Sequence, residues 1–238
     1  MPTTWTHQLP MRWADLDMLN HVNNVTYLAY AAEARALLAA EGSLPSERPA
    51  EVTVRFKVPM QLSRTPVTVV SHRDDAGLGQ EICSGPDATT VNARIVTTWD
   101  PVEAPPVPVG AESLDTCVRI GDVDGRGTVT VPQAFELFQE SRILLLANHL
   151  SHRAFGQFVA GTVTVRFHGD LEWRQQPYEA LGWISRVSNR SFTVETVIQD
   201  GGTPLLSAKS MLVGFDLDTQ RSRTFTDEEC DILRGALL

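Results

Sequence analysis

This 238-residue chain is organised around residues 12 to 35, which read RWADLDMLNHVNNVTYLAYAAEAR. This stretch joins a short acidic turn, Asp15-Leu16-Asp17, to an asparagine-rich cap and then to a strongly helical segment. A carboxylate just ahead of a helix N-terminus lies beside backbone N–H groups that have no partner inside the helix. Because that pairing offers a base or nucleophile next to an oxyanion site, we expect the chemistry of the protein here.

The same stretch occurs twice in the chain. Residues 119 to 142, RIGDVDGRGTVTVPQAFELFQESR, align without a gap to residues 12 to 35 at an offset of 107, so that Asp124 matches Asp17. Further along, residues 164 to 167 repeat the TVRF of residues 53 to 56 at an offset of 111. An internal repeat predicts two copies of one structural unit. We place the first unit at residues 1–103, a proline-rich linker at 104–112 and the second unit at 113–238.

The composition limits the classes of function. A formal net charge of −9 argues against general nucleic-acid binding, because neutralising phosphates needs a basic surface. The three cysteines are widely separated and odd in number, which predicts neither a disulfide framework nor a CxxC metal site. No apolar run approaches the length of a membrane span, and the N-terminus has no apolar signal segment. We therefore expect a soluble, cytoplasmic protein with no membrane contact.

The periodicity predicts one helix and several strands in the first unit. Asn23 and Asn24 are suitable N-caps for a helix from Val25 to Glu41. A strand at 5–15 precedes this helix, and alternating apolar residues between 51 and 100 predict an antiparallel meander after it. The helix is expected to bury a stripe made mostly of alanines, namely Val25, Leu28, Ala29, Ala32, Ala36 and Ala39 or Ala40.

The second unit is predicted to repeat this order. Thr130, equivalent to Asn23 by the offset of 107, has the capping-box spacing to Gln133 at the start of a helix from Val131 to about Leu150. A short terminal helix is expected after Thr226. The strands are expected near 117–121 and at 161–167, 179–187, 191–199 and 204–216. The sequence therefore predicts an α+β protein.

These features resemble the hotdog-fold acyl-CoA thioesterases of the 4-hydroxybenzoyl-CoA thioesterase type. The matching residues are Trp13 to Asp17, His21 to Asn24, Tyr27-Leu28 and Glu33 to Arg35. The resemblance implies a tandem double hotdog, in which each unit is an antiparallel sheet wrapped around its long central helix. It also implies that the units pair into one continuous sheet with active sites at their junction. The implied reaction is hydrolysis of an acyl-CoA thioester to a free acid and CoA.

The resemblance also implies roles for individual residues. Asp17 corresponds to the nucleophile or general base, and backbone amides from Val22 to Asn24 polarise the thioester carbonyl. Asn23 is expected to hold Asp17 or the water, and His21 to hydrogen-bond the substrate. In the second unit Asp124 is retained as a weaker catalytic candidate, because Thr128 to Val131 replace His21 to Asn24.

Further residues are candidates for binding the substrate. The phosphates of CoA require a local basic patch in a chain of this charge, although an exposed strand face would also explain the cations. The substrate-binding candidates are Val22, Asn24, Tyr27, Arg55, Lys57 and Arg166. The repeated pairs Glu33 with Arg35 and Glu140 with Arg142 suit a catalytic acid in one interpretation and a structural ion pair in another.

Other functions remain open from the sequence alone. A hotdog protein that binds acyl-CoA or another apolar ligand without hydrolysing it would show altered sites such as that of the second unit. A hotdog dehydratase would need a His/Asp dyad or a His/Glu pair at the helix, and no clear one is present. Asp122 to Gly127 resembles a calcium loop, but Arg126 stands where an oxygen ligand is needed. We therefore expect no metal and no cofactor, an acyl-CoA or acyl carrier protein substrate, and possible pairing into a homodimer.

Overall fold

The computed structural model describes residues 3–17, 20–149, 158–216, 219 and 221–238. The chain divides into two compact units, Met1–Pro101 and Val102–Leu238. The proline-rich segment packs with the second unit, where Nδ1 of His168 hydrogen-bonds to the carbonyl oxygen of Val102 at 3.0 Å. The division thus falls just ahead of the segment predicted to be a linker. Within the described ranges, no helix is both long and apolar enough to cross a membrane.

The first unit is a five-stranded antiparallel sheet with one long helix. Its elements are β1 (Thr3–Leu9), α1 (Asn24–Ala40), β2 (Glu51–Phe56), β3 (Val67–Asp74), β4 (Gly77–Ser84) and β5 (Thr90–Thr98). The strand order is β1-β3-β4-β5-β2, and neighbouring strands run antiparallel. Helix α1 lies against the three middle strands. The predicted helix-then-meander order is confirmed.

The second unit has the same connectivity. Its elements are β6 (Glu112–Thr116), α2 (Val131–His149), β7 (Phe158–Phe167), β8 (Tyr178–Val187), β9 (Ser191–Asp200), β10 (Thr203–Asp216), β11 (Arg221–Ser222) and α3 (Asp227–Gly235). The strand order β6-β8-β9-β10-β7 repeats that of the first unit, and β11 pairs with β10. The internal repeat therefore corresponds to a repeated fold, as predicted.

Helix α3 closes the apolar core of the second unit. Its Leu233 is fully buried and belongs to the same cluster as Phe192 and Phe225. The helix begins where predicted, because Oγ1 of Thr226 accepts the Glu229 N–H at 3.2 Å and the Glu229 carboxylate accepts the Thr226 N–H at 2.8 Å. This reciprocal cap supplies acceptors for two amides that the helix itself leaves unpaired.

The predicted buried face of α1 is wrong. Ala29 and Ala36 are exposed, and of the predicted stripe only Leu28 is fully buried. The helix is apolar on almost every side, so alanine spacing does not define one face. The face that packs on the sheet consists of Tyr27, Leu28, Tyr30, Ala31, Ala34, Arg35 and Leu38.

The predicted ends of several elements also need correction. Strand β1 stops at Leu9 and β6 stops at Thr116, so the strands expected to reach Asp15 and to span 117–121 are wrong there. In both units a 3₁₀ turn follows instead, at 13–15 and 120–122, because an aspartate at its third position accepts the backbone N–H just before the turn. Helix α1 starts one residue earlier than expected. The expected end of the second helix near Leu150 lies outside the described residues.

Candidate active site

Asp15 fixes the turn that leads into the site. One oxygen of its carboxylate, Oδ2, accepts the Arg12 N–H at 2.7 Å and the hydroxyl of Tyr30 at 2.6 Å. Burial of Tyr30 and its bond to this carboxylate raise the pKa of the phenol well above its usual value, so the phenol keeps its proton. Asp15 is therefore a structural residue of the turn.

Asp17 lies on a second tight turn, next to the start of α1. Its N–H donates to the carbonyl oxygen of His21 at 2.8 Å, and its Oδ1 accepts the His21 N–H at 3.2 Å. Asn20 lies between them with φ of 59°, a left-handed conformation that asparagine tolerates better than most residues. The half-buried carboxylate of Asp17 is thus held in a defined position by the backbone.

The backbone amides at the start of α1 are not equally available to a substrate. The Val22 N–H donates to the carbonyl oxygen of Met60 at 2.8 Å, and the Asn23 N–H donates to that of Asp15 at 2.8 Å. The Val25 N–H donates to Oδ1 of Asn23 at 2.9 Å, which makes Asn23 the helix cap. For the Asn24 N–H, the described part of the chain offers no acceptor. Of the three amides predicted to polarise a carbonyl, Val22 and Asn23 serve the fold, and Asn24 remains as a donor.

Tyr27 anchors a neighbouring loop and is not exposed to a ligand. Its side chain is 3% exposed, its hydroxyl oxygen accepts the Met60 N–H at 3.0 Å, and its ring meets Phe56 edge-on. Burial is the main cause that raises the pKa of Tyr27 to about 12. The residues around Met60, in the segment 57–66, are therefore tied to the helix start. The sequence did not predict that this loop lies at the site, although the offset of 111 aligns the residues at its two ends, Phe56 with Phe167 and Pro66 with Pro177.

The side chain of His21 is half-buried, and its ring makes no hydrogen bond within the described residues. Its backbone pairs with Gln61 of the loop. The His21 backbone therefore lies beside the Asp17 carboxylate, and nothing in the described residues assigns its imidazole a structural role. Its predicted role toward the substrate stays a prediction.

The repeated Glu and Arg residues of the helices are separated by the fold. Glu33 and Glu140 are exposed, whereas Arg35 and Arg142 are buried against their sheets. Arg35 donates to Oε1 of Gln80 at 3.1 Å, and burial lowers its pKa to about 10. Among the described residues, the glutamates therefore form no ion pair with these arginines.

The second unit repeats the backbone frame of the first. Asp122 accepts the Arg119 N–H at 2.7 Å, and the Asp124 N–H donates to the carbonyl oxygen of Thr128 at 2.9 Å. Val129 and Thr130 repeat the amide bonds of Val22 and Asn23, to Leu171 and Asp122 respectively. Every one of these contacts joins residues equivalent to those of the first unit by the offsets of 107 and 111.

The aspartates at the two equivalent positions differ in their surroundings. Asp124 is exposed, and its Oδ1 accepts both the Arg126 N–H at 2.8 Å and the Thr128 N–H at 3.3 Å, as in a turn. Asp17 is half-buried, and Thr128 stands where the first unit has the imidazole of His21. The first unit therefore holds the more complete candidate site.

The cations predicted to bind phosphate have different environments. Arg55 and Lys57 are exposed, at the end of β2 and directly after it, whereas Arg166 in β7 is half-buried and engaged in other interactions. No group of three or more His, Cys, Asp or Glu side chains in the described ranges is arranged to hold a metal ion.

Comparison with protein families matches each half of the chain to thioesterases. Residues 3–100 match the acyl-ACP thioesterase C-terminal domain, and residues 118–233 match the thioesterase-like superfamily. No curated protein matches the chain in sequence.

Solved structures share the fold over nearly the whole chain. A protein from Lactobacillus plantarum described as an oleoyl thioesterase has a TM-score of 0.64 at 13% identity and covers 90% of this chain and 97% of its own. The 12:0-ACP thioesterase from Umbellularia californica has a TM-score of 0.61 at 10% identity, over 92% of this chain and 94% of its own. An acyl-ACP thioesterase from Bacteroides thetaiotaomicron has a TM-score of 0.58 at 12% identity, over 88% of this chain and 97% of its own. At such identities the likeness shows the fold, which is a double hotdog.

Proposed function

We propose that this double hotdog protein, a thioester hydrolase whose two halves each match thioesterase domains, hydrolyses acyl-CoA at Asp17. The products are a free acid and CoA. The observation that carries this proposal is the turn of the first unit. It holds a half-buried carboxylate beside a helix start whose first amide, that of Asn24, has no acceptor among the described residues.

The chemistry follows from these two groups. Asp17 takes a proton from water, or attacks the carbonyl carbon itself, and the Asn24 N–H stabilises the negative charge that develops on the carbonyl oxygen. The helix dipole adds to this stabilisation, since the N-terminal end carries a partial positive charge. Collapse of the intermediate breaks the C–S bond. When Asp17 acts as the base, the proton it took from water passes to the leaving thiolate of CoA; when Asp17 attacks, the thiolate takes a proton from water, and a second water hydrolyses the acyl-Asp17 anhydride to the free acid and the regenerated carboxylate. His21 lies next to Asp17 and is proposed to hydrogen-bond the substrate.

The assay is release of free thiol from short, long and aromatic acyl-CoAs. Asp17→Asn keeps Oδ1 as the acceptor for the His21 amide but removes the base, so we expect kcat to fall roughly 10²- to 10⁴-fold with unchanged folding. Asp124→Asn is the matched variant in the second unit and is expected to change kcat less than about threefold, since that site lacks the His21 equivalent. A loss confined to Asp124→Asn, or an active Asp17→Asn enzyme, would overturn the proposal.

A carrier protein is the second candidate source of the same thioester. The match of residues 3–100 to a domain of acyl-ACP thioesterases favours it. CoA and acyl carrier protein present the same phosphopantetheine arm, so the reaction at Asp17 is identical for both. Parallel assays with one acyl group on each carrier distinguish them by the ratio of their kcat/KM values.

A further inference from the structure

Two large apolar side chains are exposed beside the proposed site. Trp13, on the 3₁₀ turn that precedes Asp17, is 81% exposed, and Leu62, in the loop 57–66, is 44% exposed. The two segments lie against each other, since the Ser63 N–H donates to the sulfur of Met11 at 3.2 Å. Exposed tryptophan is costly to leave in water, and such positions often mark a place where a ligand binds.

Three contacts made by the main chain of the loop 57–66 hold it against the start of α1. The carbonyl oxygen of Met60 accepts the Val22 N–H at 2.8 Å, the Met60 N–H donates to Tyr27, and Gln61 pairs with His21. A rigid attachment of this kind keeps the exposed side chains of the loop at a fixed place relative to Asp17.

The two segments also carry exposed cations. Lys57 and Arg64 of the loop and Arg12 beside Trp13 are exposed, and none of the three forms an ion pair with another described residue. From Val52 to Arg73 the sequence contains no Asp or Glu, although the whole chain has a net charge of −9. The cations are thus left free to meet an anion from outside.

The second unit provides an internal comparison. Ile120 and Trp173 stand at the positions equivalent to Trp13 and Leu62 and are also exposed, at 71% and 47%. Its loop differs in charge, because Asp170 and Glu172 replace Pro59 and Gln61, and Gln175 replaces Arg64. The cation of this loop, Arg174, is already bound to Asp200 at 2.9 Å and stacks over Tyr178. Apolar exposure is therefore common to both units, and Arg119 keeps the charge of Arg12. The two units differ in the loop, since the free cations of residues 57–66 have no counterpart in residues 168–177 of the described chain.

We propose that the surface formed by Arg12, Trp13, Lys57, Leu62 and Arg64 binds the phosphorylated adenosine end of CoA while the thioester lies at Asp17. This inference rests on the proposed function. The indole of Trp13 stacks on the adenine, and the three cations meet the phosphates. Trp13 is four residues from Asp17, so the two lie within about 14 Å, and the flexible pantetheine arm bridges them.

The charge pattern favours a nucleotide over a carrier protein as the occupant. A protein partner would bury on the order of 800 Å² on this chain and would extend well beyond these five residues. The nucleotide of CoA needs only the apolar side chains and the cations next to them. Its negative charge matches the first unit and is repelled by Asp170 and Glu172 of the second.

The test compares one acyl group on CoA and on pantetheine, which lacks the nucleotide. Trp13→Ala and the double variant Lys57→Gln/Arg64→Gln are each expected to lower kcat/KM for acyl-CoA about tenfold, and to change that for acyl-pantetheine less than about twofold. The control is Arg119→Gln/Arg126→Gln, which makes the same change of charge in the second unit and is expected to leave both substrates within about twofold.

Each other outcome overturns the proposal. Equal losses on acyl-CoA and acyl-pantetheine would show that the surface does not contact the nucleotide. An equal loss of kcat/KM for acyl-CoA in the control variant would show that the effect comes from the net charge of the protein and not from this surface. Loss on acyl carrier protein substrates with acyl-CoA unaffected would assign the surface to a carrier protein. If no thioester is hydrolysed, the proposed function fails, but calorimetric titration with CoA still tests whether the surface binds the nucleotide. A Kd for CoA that is unchanged in the Lys57→Gln/Arg64→Gln variant would refute that binding.

Discussion

Replacing Tyr27 by phenylalanine tests how the loop 57–66 is held on the helix. The Tyr27 side chain is 3% exposed, and its hydroxyl oxygen accepts the Met60 N–H at 3.0 Å. The variant keeps the edge-on ring contact with Phe56 but leaves the Met60 amide without its acceptor in a buried place. We expect the free energy of unfolding at pH 7 to fall by about 1–2 kcal/mol.

The same substitution should change the response to alkaline pH. Burial raises the pKa of Tyr27 from 10.0 to about 12, so the folded protein keeps this proton over a range in which the unfolded chain loses it. A raised pKa contributes stability that is complete below pH 10 and is lost as pH rises towards about 12. The contribution is on the order of 2–3 kcal/mol in total, of which about 1.4 kcal/mol is lost by pH 11. Tyr27→Phe has no such loss, so its deficit relative to wild type should nearly vanish at pH 11.

Urea unfolding followed by circular dichroism at pH 7, 9 and 11 measures this difference. Tyr178→Phe is the matched control, since its hydroxyl donates to the carbonyl oxygen of Glu172 at 3.0 Å in the second unit and the variant also loses one hydrogen bond. A deficit of Tyr27→Phe that stays constant from pH 7 to pH 11 would refute the reasoning from burial. No deficit at pH 7 would refute the role of the hydroxyl in holding Met60.

Two further substitutions test the turns and caps of the fold. Gly127 has φ of 82° with open space around the position of a side chain, so Gly127→Ala should cost about 1 kcal/mol by backbone strain alone. The equivalent Asn20→Gly should change stability by less than about 0.5 kcal/mol, and equal melting temperatures for both variants would contradict the role of the left-handed turn. Thr226→Ala removes the hydroxyl that accepts the Glu229 N–H and should cost about 1 kcal/mol in urea unfolding, whereas the exposed neighbour Thr224→Ala should cost little. Equal effects of the two threonine variants would argue against the cap.

The repeat made much of the site predictable from the sequence. The offset of 107 paired Asn23 with Thr130, and both accept helix amides, from Val25 at 2.9 Å and from Gln133 at 3.4 Å. A local pattern of this kind is readable because caps and turns join residues close in sequence. The strands of the second unit were predictable for the same reason, since turns separate them sharply.

The parts that failed depend on contacts between distant residues. Nothing near Val22 in the sequence shows that its amide is taken by Met60, 38 positions away, and the free donor at Asn24 appears only once that bond is known. The prediction of the buried face of α1 failed because this face includes two tyrosines and an arginine, namely Tyr27, Tyr30 and Arg35. Arg35 is buried because Gln80 on the sheet accepts its hydrogen bond, and Gln80 in turn donates to the carbonyl oxygen of Ala31.

The frame that positions Asp17 and Asp124 is built almost entirely from main-chain atoms. The bonds of Val22, Asn23 and their equivalents connect N–H groups to carbonyl oxygens, which every residue except proline provides in full. Side chains at these positions can therefore be exchanged after duplication without loss of the scaffold, as Thr128 in place of His21 illustrates. In such a protein the architecture and the chemistry are inherited separately: one copy can preserve a reaction while its twin is released to acquire another specificity or none.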